Sequence, residues 1–142
     1  MRKVLLFTIL IFTTIFYGCN KSSIENSPVS IYPVDIGSLN NNKILNIIYD
    51  DSLEEGVYQI ITDSNNYIFF KGIKNEYIDI HSTLDNKTLI INCNTSPSSK
   101  NSNKLYVIRE KNTNASSTEN IFYDSMLLKI NNREVYFKSI LI

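Results

Sequence analysis

Met126-Leu-Leu-Lys-Ile-Asn-Asn-Arg-Glu-Val-Tyr-Phe137 decides the fold class. Apolar and polar residues alternate on both sides of Asn131-Asn132, which is the period of a half-buried strand. Asparagine tolerates positive φ, and a two-residue type I′ turn needs it at both central positions. Closing the chain there sets Ile130 opposite Arg133, Lys129 opposite Glu134, Leu128 opposite Val135 and Met126 opposite Phe137. Charge meets charge on one face and apolar meets apolar on the other. Each such cross-strand pair contributes roughly 0.2–1 kcal/mol, and a slip of one residue would exchange the faces. The expectation is a hairpin whose Met126, Leu128, Val135 and Phe137 side chains enter the core.

The same texture runs upstream. Short runs rich in Ile, Tyr and Phe are separated by clusters of Asn, Ser, Asp and Gly. They predict strands at Ser30–Ile36, Lys43–Tyr49, Val57–Thr62, Tyr67–Lys71, Tyr77–Ser82, Thr88–Cys93, Lys104–Arg109, Ile121–Ile130 and Arg133–Leu141. A second hairpin is expected at Tyr77–Cys93, with Ile80 opposite Leu89 and Ile78 opposite Ile91. Segments 94–103 and 111–120 are Ser/Asn-rich and read as loops. The fold class is therefore all-β, an antiparallel immunoglobulin-like β-sandwich of about seven to nine strands, with a small β-barrel as the alternative.

Composition agrees. Ala115 is the only alanine, and a chain so poor in alanine is badly suited to helices, whereas Ile and Tyr favour strands. The 14 basic and 14 acidic residues cancel. Without Arg2 and Lys3 the 14 basic residues fall to 12 and the net charge to −2. No basic face follows, so nucleic-acid binding has no support.

The N-terminus carries an address. Arg2-Lys3 precedes an apolar run, Val4 to Phe16, interrupted only by threonines. This is the layout of a secretory signal, and the run is shorter than the ~20 apolar residues of a spanning helix. The run closes on Phe16-Tyr17-Gly18-Cys19, and Asn20-Lys21-Ser22-Ser23 begins a polar stretch. Phe16-Tyr17-Gly18-Cys19 resembles the lipobox of bacterial lipoproteins. Bulky residues before Gly18 are like those of the Bacteroidota type. The resemblance implies a signal peptide at residues 1–18 and lipidation of Cys19. It also implies attachment to a membrane, with the outer membrane expected and its periplasmic or surface face open. Residues 19–28 read as a tether and 29–142 as one domain.

With Cys19 committed to lipid, Cys93 has no intrachain partner, and no disulfide framework is expected. Cys93 and His81, the only histidine, fall on opposite strand faces, which opposes a nucleophile pair. Cys93 reads as a small buried hydrophobe and His81 as an exposed strand residue. Zinc needs several Cys, His or carboxylate ligands close together, and this chain offers no such spacing. Asp50, Asp51, Glu54 and Glu55 form the one dense acidic patch, read as a solvated loop. No catalytic residue, metal or cofactor is assigned, and the chain is not expected to be an enzyme. Tyr67 and Phe69 alternate with Ile68 and Phe70. One face must be core; a strand apolar on both faces reads first as a central core strand, and the Tyr67/Phe69 face is otherwise the candidate ligand surface. Asp51-Ser52-Leu53 resembles the short O-glycosylation acceptor motif of Bacteroidota exported proteins, which makes Ser52 a candidate acceptor. The same motif at Ser125 falls in an expected strand.

The stretch Val57 to Gly72 followed by Tyr77 to Ser82 is similar to a strand–turn–strand pattern of small immunoglobulin-like or fibronectin-like sandwiches in Bacteroidota exported proteins. It implies a sandwich and no activity. The functional expectation is a non-catalytic, membrane-anchored cell-envelope lipoprotein that binds or scaffolds a protein or glycan. The alternative is an inhibitor or immunity-type lipoprotein that blocks a toxin or cell-wall-degrading enzyme. Oligomeric state is left open.

Overall fold

A computed structural model describes residues 27–110 and 123–142. The expected signal peptide at 1–18, Cys19, most of the expected tether, the expected loop at 111–120 and Ile121-Phe122 lie outside the described residues. Nine strands, one short helix and one 3-10 turn are present among those described: β1 (Val29–Val34), the 3-10 turn Ile36–Ser38, α1 (Asn42–Ile48), β2 (Gly56–Ile61), β3 (Asn66–Gly72), β4 (Asn75–Asp85), β5 (Thr88–Pro97), β6 (Ser102–Glu110), β7 (Ser125–Ile130), β8 (Arg133–Val135) and β9 (Lys138–Leu141).

The strands form two open sheets, ordered β1-β6-β3-β2-β9 and β4-β5-β7-β8. They pack as a sandwich. Val29, Ile31, Val57, Ile68 and Phe70 of the five-stranded sheet meet Tyr77, Leu89, Ile91, Cys93 and Leu128 of the four-stranded one. The all-β sandwich is thus as the alternation predicts, and neither sheet closes into a barrel. Two pairings depart from an antiparallel design. β9 runs parallel to β2, and β7 parallel to β5.

The larger sheet is apolar on both faces. Its outer face, with Tyr58, Ile60, Phe69 and Leu105, packs against Ile44 and Ile48 of α1. The strand expected at Lys43–Tyr49 is this helix. Asn41 caps it, its Oδ1 accepting from the Lys43 and Ile44 amides at 3.1 and 3.2 Å, a contact that satisfies donors a helix start leaves orphaned. Ile44 and Ile48 are one turn apart and 0 % and 1 % exposed. Each such buried side chain contributes about 1.5–3 kcal/mol, enough to override the strand preference of isoleucine.

The quoted hairpin forms in its expected register, Leu128–Val135, Lys129–Glu134 and Ile130–Arg133. Asn131 and Asn132 take φ of 50° and 63°. It stops earlier than the sequence suggests. β8 ends at Val135, and the chain crosses through Tyr136-Phe137 to become β9 of the other sheet. Met126 and Phe137 therefore do not pair, although both pack against the core. Val135 is 41 % exposed rather than buried.

β4 and β5 pair as expected but in another register, Leu84 with Leu89 and Ser82 with Ile91. The turn sits at Asn86-Lys87, with φ of 44° and 64°. The offset from the expected Ile80–Leu89 pair is even, so Leu89, Ile91 and Cys93 keep their core face.

Candidate functional site

The two sides of the sandwich are not alike. On one side the edge strands β1 and β4 are tied together. Ser82 Oγ accepts from the Ile31 amide at 3.2 Å and lies 3.2 Å from Ser30 Oγ. Pro33 removes a donor from the β1 edge, and β4 breaks register between Ile78 and His81, with Asp79 at φ 53°. Prolines and bulges are the devices that make an edge unreceptive to another strand.

On the other side, β8 and β9 are consecutive and open. Arg133, Glu134 and Val135 are all exposed. Tyr136 is 96 % and Leu141 82 % exposed. Met126, Leu127, Leu128, Val135, Tyr136 and Phe137 line a groove of about 210 Å³ at this side. At the foot of β9, Lys138 Nζ donates to Glu54 Oε2 at 3.0 Å and lies 5.3 Å from the Tyr58 ring centroid. The bond to Glu54 holds the ammonium above its ordinary pKa.

The residues singled out from sequence do not assemble here. Phe69 is wholly buried under α1, and Tyr67 packs in the same layer. That face is the outer core of the larger sheet, covered by α1. The unexpected helix supplies a third layer. Cys93 is buried, and burial pushes its thiol up to about 11. His81 is exposed and contacts the Asp79 carbonyl at 2.7 Å through Nδ1. Ser52 is exposed in the loop before β2, its amide and hydroxyl bonded to Asp50 Oδ1 at 2.8 and 2.6 Å.

The acidic patch is wired into the fold. Glu55, which the sequence places in a solvated loop, reaches across to the turn after Gly72. Its Oε2 accepts from the Ile73 and Asn75 amides at 2.8 and 3.0 Å and from Lys74, while Oε1 accepts from Asn75 Nδ2 at 2.6 Å. Gly72 is needed in that turn because a Cβ would collide with the Asn75 carbonyl. Partial burial alone would raise the Glu55 pKa, but the hydrogen bonds from Asn75, Lys74 and Ile73 together outweigh it and hold it at about 2. Among the described residues no three His, Cys, Asp or Glu side chains come together as a metal site.

No family model, curated protein or solved structure matches this chain.

The open side was legible only in part. The quoted alternation placed Arg133 to Val135 on a strand, but nothing in it marked where the chain would leave the sheet.

Proposed function

We propose that the protein is a membrane-anchored cell-envelope lipoprotein whose sandwich is a non-catalytic binding module for a protein partner. The observation that carries this reading is the open β8–β9 side, with a nearly fully exposed Tyr136 beside an apolar groove. Large exposed aromatics at unpaired strand edges are features of recognition surfaces. The anchor rests on the lipobox at Cys19. About ten residues separate it from Val29, roughly 35 Å of chain when extended, so the domain has reach above a lipid surface.

The reading is tested by crosslinking and affinity isolation from native cells, comparing wild type, Cys19→Ala and Tyr136→Ala. A partner captured by wild type, lost with Tyr136→Ala and reduced with Cys19→Ala is the expected result. Identical, featureless captures from all three would reject the binding role. Radiolabelled palmitate incorporation that persists in Cys19→Ala would reject the anchor.

A further inference from the structure

Among the described residues, the fourth strand position of the smaller sheet is only half filled. β8 pairs with Leu128, Lys129 and Ile130 of β7, and then leaves. The upper half of β7, Ser125 to Leu127, has β5 on one side and no described strand on the other. Its backbone directions are fixed by its neighbours. The amides of Ser125 and Asn131 donate toward β5, to Lys87 O and Cys93 O at 3.4 and 3.0 Å. Alternation then turns the even-numbered groups outward, toward β8. Leu128 and Ile130 meet Val135 and Arg133 there. Met126 faces the place Phe137 would have taken had the hairpin continued.

We propose that this vacant half-strand position receives a short extended segment of a partner protein, with one large apolar side chain opposite Met126 and a basic residue beside it. Outward N–H and C=O groups in strand geometry are matched by another extended backbone. A residue opposite Met126 points to the same face as Met126 and Leu128, into the groove. The groove's ~210 Å³ compares with an engineered cavity of about 150 Å³ that takes benzene, so one aromatic or large aliphatic side chain fits. Glu134 and Tyr136 also line the groove. Glu134 already faces Lys129 across the ladder; the exposed ring face of Tyr136 attracts a cation, and the Glu134 carboxylate adds to it.

A second copy of this chain does not fit the position. Three residues of β7 offer only about 10 Å of open ladder, room for a short extended segment rather than for the edge strand of a folded copy. Pairing all of β8 with its own copy about a two-fold axis would also set Glu134 against Glu134. This inference rests on the binding-module reading, and the two fail separately. The exchange experiment below concerns one groove on the isolated chain, whereas capture from cells reports binding anywhere on the surface.

The test is amide hydrogen exchange by NMR on the full chain in detergent. The probe is a seven-residue threonine-rich peptide with a central phenylalanine followed by lysine. Without peptide, the Met126 amide is expected to exchange much faster than the Leu127 amide, which faces β5. With peptide, Met126 exchange should slow at least tenfold. The effect should vanish when the phenylalanine is replaced by aspartate and weaken several-fold in Tyr136→Ala and Glu134→Gln. Slow Met126 exchange without peptide would mean the position is already filled, by this chain or by a copy of it, and would overturn the proposal. So would unchanged exchange at millimolar peptide, or equal protection by a backbone N-methylated peptide.

Discussion

Glu55 and Asn75 are joined side chain to side chain at 2.6 Å across twenty residues of sequence, and the same carboxylate holds three backbone amides of the turn after β3. One acidic group therefore fixes the geometry of the β3–β4 corner, where the chain passes from one sheet to the other. Its lowered pKa makes the corner sensitive to acid. The ionised form is favoured in the folded chain, so its stabilisation is complete above about 4.5 and is lost as pH falls toward about 2. Glu55→Gln is expected to cost about 1–2 kcal/mol at neutral pH, allowing for solvent screening. Urea midpoints for the two proteins should converge at pH 2. A constant gap across that window would show that the carboxylate charge is not what the corner uses.

The helical layer yields a second pair of effects. Ile44→Ala removes a fully buried side chain between α1 and the larger sheet, and should cost about 2–4 kcal/mol. Asn41→Ala removes the cap at about 1 kcal/mol. Equilibrium denaturation measures both. An effect of Ile44→Ala below ~0.5 kcal/mol would mean that α1 does not cover the sheet in solution.

At the β7–β8 turn the two asparagines should behave differently. Both have positive φ, but only Asn131 is also bonded outward, its Oδ1 accepting from the Thr95 amide at 3.0 Å and its Nδ2 donating to Thr95 Oγ1 at 2.9 Å. Asn132→Gly is expected to be neutral or slightly stabilising, since glycine adopts this conformation freely. Asn131→Gly should cost about 1 kcal/mol through the lost bonds. Thermal unfolding of the two variants side by side decides it, and equal effects would remove any special role for Asn131.

Cys93 is expected to be chemically silent in the folded state. It is buried and its thiol is held near 11, and the thiolate is the reactive form. Labelling by iodoacetamide at pH 8 should follow the global unfolding curve in denaturant. Rapid labelling under native conditions would mean that β5 and β7 separate locally.

Part of this fold could be read from the chain, and the limits have physical causes. The β7–β8 register was readable because a turn signal, a charge pair and an apolar pair agreed in one short stretch. The β4–β5 register was not. Its turn uses Lys87 at positive φ, which carries no sequence signature, and a bulge breaks the count. Lys43–Tyr49 looked like a strand because isoleucine dominates it. The Asn41 cap and the one-turn spacing of Ile44 and Ile48 were the signals that could have found the helix. The helix also covers the Tyr67/Phe69 face, so β3 is core on both sides, as a strand apolar on both faces suggests. Tyr136-Phe137 was hidden for another reason. Alternation continues smoothly through it, and periodicity reports which face a residue takes but not which sheet it joins.

The sheet switch has a consequence for assembly. Tyr58 pairs with Lys138 and Thr88 with Ser125, contacts far apart along the chain. Non-local pairing of this kind must close large loops before any contact rewards it, which places sandwiches on the millisecond-to-second scale, roughly, rather than the microsecond scale of helical bundles. Until β9 docks, β2 is an unfinished edge, with Tyr58 and Ile60 on a sheet still lacking its last strand. β9 contributes only four residues to that edge, and a chain in which it has not docked leaves the larger sheet open to pairing with a neighbouring molecule.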